Sequence, residues 1–292
     1  MPLRSSAARA ATSTPPEILF VISGISMYAG AAVAVVAFDY LPAAGVAWYR
    51  VLWAGLIVFA MRRAWRGPWT RRQLLLAGLF GSALAAMNIS FYLSIDRLPL
   101  GNVVAIEFLG PVAVAVLGSR SLRSLSALGL TTAGVVVLAD MQYEASPSGV
   151  VFALMAAAFW ALYIVLGARV ATEARAVDGL GVGMLIGALV ISPFGLAPAL
   201  EVHHHPWVLL LTITTALLSN VIPYALDQVI LRRIPRARFA FLLALLPVTA
   251  TLTGFIALQQ TPGAVELAGI GLVVAGIAVS ERPPESGGAE SA

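Results

Sequence analysis

A carboxylate, Glu107, lies in a mostly apolar stretch that runs from Asn88 to Gly118. Three residues further on the chain has a helix-breaking pair, Gly110 and Pro111. Because a proline has no N–H, the carbonyl of Glu107 loses its usual hydrogen-bond partner four residues ahead. A carboxylate beside a free backbone acceptor could hold an ammonium group or carry a proton in exchange.

Arg50 is the candidate partner of this carboxylate, since it lies about midway along another apolar segment. Two interpretations are open. In one, an ion pair between Arg50 and Glu107 only holds two helices together. In the other, both charged groups contribute to a binding site for a small molecule.

Amide and phenol side chains recur at helical spacing. Asn88 and Tyr92 are four residues apart and therefore share one face of a helix, and Asn220 and Tyr224 repeat the arrangement. Polar side chains that faced lipid would be costly, so both faces should look toward protein or a cavity. They could contact a substrate, or form the helix–helix hydrogen bonds that are common in membrane bundles.

Aromatic residues and prolines supply further candidates. Trp160 and Tyr163 are three residues apart on one helical segment, and Tyr28 lies on another. Such rings can pack against a substrate or face its ammonium group, and they can equally be ordinary packing residues. Pro223 and Pro247 interrupt two other apolar segments and, with the Gly-Pro pair described above, are candidate helix breaks or gating positions.

The composition indicates a membrane protein. Of 292 residues, 60% are hydrophobic and 11% are charged, and the mean hydropathy is +0.91. Soluble domains carry roughly 25% charged residues, whereas lipid favours an apolar exterior. The absence of cysteine excludes disulfides, thiolate metal sites and cysteine nucleophiles. The basic residues are spread over short loops, so we expect the lipid bilayer and not a nucleic acid as the partner.

Ten segments are apolar enough to cross a bilayer, which takes about 20 apolar residues per helix. The expected fold class is therefore all-α and integral to the membrane. Residues 1–17 and 281–292 are polar and predict a disordered tail at each end. The ten segments are 18–37, 43–61, 73–94, 100–118, 125–140, 149–168, 177–198, 207–230, 237–258 and 264–280.

The arginines orient these segments, because loops on the cytoplasmic side of a membrane are enriched in basic residues. With both termini in the cytoplasm, 16 of the 18 basic residues lie inside, while Arg97 lies outside and Arg50 lies within the second span. The inside arginines are Arg4, Arg9, Arg62, Arg63, Arg66, Arg71, Arg72, Arg120, Arg123, Arg169, Arg175, Arg232, Arg233, Arg236, Arg238 and Arg282.

The two halves of the chain repeat one another at an offset of 132 that becomes 136 after four extra residues. Because each half has five spans, the second half enters the membrane from the opposite side. We therefore expect two inverted repeats, 18–140 and 149–280, an architecture that supports alternating access. The matched pairs are Tyr28–Trp160, Asn88–Asn220, Tyr92–Tyr224, Pro99–Pro235, Pro111–Pro247 and Gly118–Gly254.

Motifs of other protein classes are missing from the sequence. It has no Walker loop, no dinucleotide fingerprint and no suitable Ser-His-Asp arrangement, so we expect neither an enzyme nor a cofactor, and transport without ATP. The run His203, His204 and His205 lacks the further ligands that a metal site needs. Two repeats in one chain already supply a pseudo-dimer, and we expect a monomer.

The sequence resembles the EamA-domain branch of the drug/metabolite transporter superfamily. Within that branch, residues 87–120 (MNISFYLSIDRLPLGNVVAIEFLGPVAVAVLGSR) closely resemble the bacterial threonine/homoserine exporters. Further similar pieces are AAFWALYIVLGAR (157–169), the segment around Ile222-Pro223-Tyr224, and the turn at Ile234-Pro235-Arg236. The resemblance implies a carrier in the bacterial inner membrane, with a central cavity between both halves and with the fifth and tenth helices at the periphery.

Together these observations favour an exporter of small amino acids such as threonine and homoserine. Glu107 would take the substrate ammonium or a proton, and the polar and aromatic residues named above would shape the cavity. The alternative is an exporter of aromatic amino acids, other metabolites or cationic drugs on the same fold. An integral-membrane enzyme is disfavoured, because such enzymes normally cluster His, Asp and Glu side chains at a membrane face.

Overall fold

A computed structural model describes residues 14–280, apart from 67, 119–120, 144–145, 171–175, 203, 232 and 235–241. The described residues form helices joined by short turns, with no strand among them. The α-helices are α1 (Pro16–Ala37), α2 (Ala43–Arg62), α3 (Arg71–Ile95), α4 (Leu100–Glu107), α5 (Leu109–Gly118), α6 (Leu122–Tyr143), α7 (Pro147–Val170), α8 (Ala176–Val190), α9 (Ser192–Glu201), α10 (Pro206–Ala216), α11 (Ile222–Leu231), α12 (Leu246–Leu258) and α13 (Ala264–Ser280).

Six helical stretches are long and apolar enough to cross a bilayer. They are α1, α2, α3, α4 together with α5, α6 and α7. A seventh candidate is the pair α8 and α9, which bends by 81°. The apolar helices Pro206–Val221, Leu243–Leu258 and Ala264–Ser280 are shorter. The structure thus confirms an all-helical protein with six or seven membrane-capable helices in its described part.

The seventh expected span, 177–198, is not one straight helix. It breaks at Ile191, between α8 and α9. Pro193 lies in the first turn of α9, where it cannot donate a hydrogen bond back into α8, and its ring crowds the preceding turn. The indole of Trp48 reinforces the bend, because its Nε1 donates to the carbonyl of Ala188 and to the hydroxyl of Ser192, both at 3.0 Å.

The outer faces of the helices are apolar. On α1, Ile18, Ile22 and Ile25 follow one another at helical spacing and are about half exposed. Leu252, on α12, is similarly exposed. An apolar exterior of this kind suits the hydrocarbon core of a membrane, where the hydrophobic effect does not drive these side chains inward.

Glycines bring α3 and α8 into backbone contact. A Cβ added at Gly81 would collide with the backbone of Gly183, and one added at Gly187 would collide with the carbonyl of Gly81. The same principle joins α6 to α13, where Gly134 approaches the carbonyl of Gly269. Small residues at helix crossings are typical of membrane bundles, because close backbone approach maximises van der Waals contact.

A buried carboxylate ties together one end of the bundle. Glu266, at the start of α13, accepts hydrogen bonds from Asn102 Nδ2 at 2.7 Å, from Gln142 Nε2 at 2.8 Å and from the backbone N–H of Gly263 at 2.7 Å. These donors come from α4, α6 and the turn before α13. Three donors satisfy a buried charge that would otherwise be costly. Sequence reasoning did not single out Glu266.

The crossing of α3 and α8 should be sensitive to a single methyl group. Gly81→Ala places a Cβ against the Gly183 backbone, and we expect a loss of about 1–3 kcal/mol of stability because neither backbone can move aside. The measurement is the thermal unfolding midpoint of the purified protein in detergent. Gly129→Ala on α6 is the matched control, because its Cβ meets nothing within 4 Å. Equal midpoints for both variants would contradict the proposed tight crossing.

Candidate functional site

A cavity of about 320 Å³ lies between the helices of both halves of the chain. Its walls come from α1, α2, α3, α4, α7 and α8, from the region between α10 and α11 with the start of α11, and from the turn before α12 with the start of α12. No described residue of α6 or α13 lines it. The sequence-predicted site residues that line this cavity are Tyr28, Arg50, Asn88, Glu107, Trp160, Tyr163, Asn220 and Pro223.

Glu107 is the last residue of α4, and the helix is interrupted at Phe108 before α5 begins at Leu109. The interruption agrees with the missing N–H of Pro111, which leaves the Glu107 carbonyl without its helical partner. The Glu107 side chain is 7% exposed and lines the cavity. Within the described part of the chain, no donor or cation lies within bonding distance of its carboxylate.

Arg50 is also buried, and it does not pair with Glu107. The two charges influence each other electrostatically, but they form no ion pair of 4.0 Å or less within the described residues. Instead, Arg50 Nε donates to Asn220 Oδ1 at 2.8 Å, and the guanidinium lies 5.1 Å from the centroid of the Tyr92 ring. The structure therefore does not support the interpretation in which a direct ion pair between Arg50 and Glu107 holds two helices together.

Asn220, the acceptor for Arg50, lies in a π-helical segment, Leu217–Val221, between α10 and α11. Such segments are rare and are often found at functional sites. Pro223 follows immediately and cannot donate to the carbonyl of Ser219. The segment is held against α1, because Ser219 Oγ donates to the carbonyl of Met27 at 3.0 Å and a Cβ at Gly30 would collide with Ser219.

Asn88 lies on the wall that α3 contributes. Its Nδ2 donates to the carbonyl of Leu84 at 2.7 Å. Its Oδ1 is buried and has no hydrogen-bond partner in the described structure. The side chain is thus fixed on one side and unsatisfied on the other.

Two aromatic pairs form another part of the wall. Trp160 packs edge-to-face on Phe108, with centroids 4.9 Å apart, and Tyr163 stacks on Phe80 at 4.6 Å. Because Phe108 is the residue at the interruption after α4, the indole of Trp160 supports the backbone next to the carboxylate. Tyr28 lies on α1 and interacts electrostatically with Glu107.

Several predicted site residues are not on the cavity wall. Tyr92 is fully buried behind Arg50, and its hydroxyl approaches Arg50 and Ser219 without a hydrogen bond of good geometry. Gly110 allows α5 to pack against the backbone of Ala157 on α7. Pro111 and Pro247 also lie away from the lining. The side chain of Tyr224 falls outside the described residues.

Sequence reasoning missed other lining residues. Leu180 and Met184 reach the cavity from α8, a segment in which the sequence analysis named no candidate site residue. Ser219 and Met27 line it where α1 meets the π segment. The one sequence signal for this junction is Pro223, which frees a carbonyl four residues earlier, but a proline alone does not predict a π segment.

Comparison with known proteins identifies the family of this chain. The family model of the EamA-like transporter family matches residues 147–281. The threonine/homoserine exporter RhtA of Escherichia coli strain K12 is 34% identical over 263 residues, which cover 89% of each chain. The RhtA of Salmonella typhimurium strain LT2 is 33% identical over the same shares. The chain belongs to the EamA-like transporter family.

As an EamA-like transporter, the protein is a multi-pass membrane carrier and not an enzyme. This confirms the family to which the sequence motifs pointed. A solved protein crystal structure also superposes with a TM-score of 0.54, covering 90% of this chain and 96% of its own, at 18% identity. That likeness concerns the fold alone.

The two buried carboxylates of this EamA-like transporter should respond oppositely to neutralisation. Glu266→Gln disrupts a site with three N–H donors and should cost about 1–3 kcal/mol of stability. Glu107→Gln removes an unpartnered buried charge and should leave the thermal midpoint unchanged or raise it. Thermal unfolding of the purified variants in detergent measures both effects. The exposed Glu201, as Glu201→Gln, is the control. A similar loss for both buried positions would mean that Glu107 has a structural partner.

Proposed function

We propose that this transporter exports small amino acids of the threonine and homoserine type. The observation that carries the proposal is the pair Glu107 and Arg50, which share one cavity without neutralising each other. A free amino acid carries an ammonium and a carboxylate, so it supplies one opposite charge for each group. Buried charges need such partners, and here the substrate provides them.

The cavity suits a small substrate. Ligand pockets are typically about 300–1,000 Å³, and this one, at about 320 Å³, lies at the small end. Trp160 and Tyr163 give the cavity an aromatic side against which an aliphatic side chain of the substrate can pack. Tyr28 lies on the side of the cavity where Glu107 is. Substrates named for the relatives, threonine and homoserine, match this size and charge pattern.

Two inverted repeats of five spans, 18–140 and 149–280, are the proposed architecture. Two repeat-related pairs, Tyr28 with Trp160 and Asn88 with Asn220, lie around the same cavity, as expected for a site between two similar units. The family model matches 147–281, close to the extent of the second unit. The extent of the family match and the residues around the cavity both favour an architecture of two repeats.

Alternating access without ATP is the proposed mechanism. In the orientation set by the arginines, the cavity runs from the middle of the bundle toward the cytoplasmic side, where Val58, Leu180 and Leu243 line it. This arrangement is that of an inward-facing state, ready to take substrate from the cytoplasm. Exchange of conformations between the two repeats would then present the site to the other side. Glu107, which has no partner in the part of the chain that the structure describes, can hold the ammonium or a proton in turn.

We further propose that the carrier works as a monomer in the bacterial inner membrane, with both tails in the cytoplasm. The 16 arginines on one side support this orientation. The described residues that line the cavity come from both repeats of one chain, which supports a monomer as the transporting unit.

Export should depend on the charge of Glu107. In proteoliposomes, Glu107→Gln should reduce counterflow of labelled threonine by roughly 10–100-fold, because the substrate ammonium loses a charge-assisted hydrogen bond in a buried site. Glu201→Gln, at an exposed helix end, should transport as the unchanged protein does. The folded state of each variant is checked by thermal unfolding. Normal transport by folded Glu107→Gln would overturn the assigned role.

The same assay separates the alternatives. Competition with a panel of aromatic amino acids and cationic drugs shows whether the cavity accepts larger substrates, and stronger competition by these than by threonine would overturn the small-substrate proposal. Repeating the assay with an imposed pH gradient tests proton exchange. Stimulation by the gradient in the unchanged protein supports proton coupling, and no response supports facilitated diffusion.

The proposed orientation can be tested directly, because the chain contains no cysteine. The substitution Asp96→Cys places a cysteine in a loop that we expect on the periplasmic side. Trp65→Cys places one in a loop that we expect on the cytoplasmic side. In intact cells, a membrane-impermeant maleimide that reaches the periplasm should label the first variant and not the second. Permeabilised cells should show labelling of both. The opposite pattern would reverse the topology.

A further inference from the structure

Asn88 has a buried acceptor that no described residue satisfies. The residue is 2% exposed and lies on the cavity wall. Its Nδ2 donates to the carbonyl of Leu84, and since a carbonyl can only accept, the nitrogen of the amide must face it. The oxygen therefore faces the other way, and it has no partner among the described residues. It is itself enclosed by the wall, so a donor on the substrate reaches it when the wall adjusts around the bound substrate.

Buried acceptors of this kind are rare in folded proteins, because a buried polar atom without a partner is costly. Two donors of the same cavity are already engaged. Arg50 Nε donates to Asn220, and Ser219 Oγ donates to the carbonyl of Met27. A donor supplied by the substrate would remove the cost at Asn88.

The donor can be identified by elimination within the substrate class, and this step rests on the proposed function. The ammonium of an amino acid is drawn to the charged Glu107 in preference to a neutral amide. The carboxylate is drawn to Arg50 and has no hydrogen to donate. What remains is a donor on the side chain of the substrate.

We propose that Asn88 Oδ1 accepts a hydrogen bond from the side-chain hydroxyl of the substrate and makes the carrier selective for hydroxy amino acids. Asn88 is then a specificity-determining residue, distinct in role from the two charged groups. Sites built to bond a hydroxyl reject the analogue without it strongly, because the analogue leaves the buried acceptor unpaired. Threonine should therefore be preferred over valine, which has nearly the same shape.

The test measures transport of threonine and valine by purified protein in proteoliposomes, as the ratio of their kcat/KM values. We expect the unchanged protein to prefer threonine by at least about tenfold. Asn88→Leu should reduce that preference to within about twofold, because it removes the acceptor and keeps the volume similar. Homoserine and its analogue with a methyl in place of the hydroxyl form a second matched pair.

Thr131→Val is the control variant. Thr131 is fully buried on α6 and lies away from the cavity, and its Oγ1 also lacks a partner among the residues that the structure describes. It should change neither ratio. A second variant, Asn88→Ala, removes the same acceptor with a smaller side chain and should also lose the preference for threonine.

The transport measurements distinguish a failure of the role of Asn88 from a failure of the proposed amino-acid export. Equal transport of threonine and valine by the unchanged protein overturns the role of Asn88 and leaves the proposed amino-acid export intact. An unaltered preference in folded Asn88→Leu overturns it as well. If Asn88→Leu does not fold, Asn88→Ala decides, since an unaltered preference for threonine in folded Asn88→Ala would overturn the proposal. Absence of any amino-acid transport by the unchanged protein overturns the proposed function itself.

Discussion

A carboxylate with no partner among the described residues, deep in an apolar bundle, is the constraint on which the rest of this site depends. A buried charge is costly in a medium of low dielectric unless an opposite charge or several donors approach it. Glu107 has neither within the described residues, and the nearest buried cation, Arg50, is held by Asn220 and covers the ring of Tyr92. In a carrier this free-energy cost favours binding, because a cationic group of the substrate that approaches Glu107 removes it.

Glu266 shows what the same side chain does when it is structural. Its carboxylate receives three N–H groups from three parts of the chain and so fastens one end of the bundle. By composition the two glutamates are equivalent, since each lies in an apolar helix with few charges nearby in sequence. Their surroundings separate them, because one faces donors and the other faces a cavity.

The scaffold around the cavity combines tight and irregular packing. Glycines let α3 and α8 touch through their backbones, which leaves little freedom at that crossing. By contrast, the interruption at Phe108 and the π segment around Asn220 break regular helices beside the cavity. Irregular backbone within a membrane is tolerated where it is buried in protein or lines a cavity. The two irregular places carry Glu107 and Asn220, and both side chains reach the site.

The sequence by itself determined the membrane class, the helical fold, the family and most of the polar side chains among the described residues that line the cavity. It could do so because lipid imposes long apolar helices, and because a charged or amide side chain within such a helix must turn inward. Only the tertiary structure decided which polar groups meet. Whether Arg50 would pair with Glu107 or Asn220, and whether Tyr92 would line the cavity or lie behind it, depends on helix rotations that periodicity leaves open. The 81° bend before α9 and the donors around Glu266 likewise arise from contacts between segments distant in the chain.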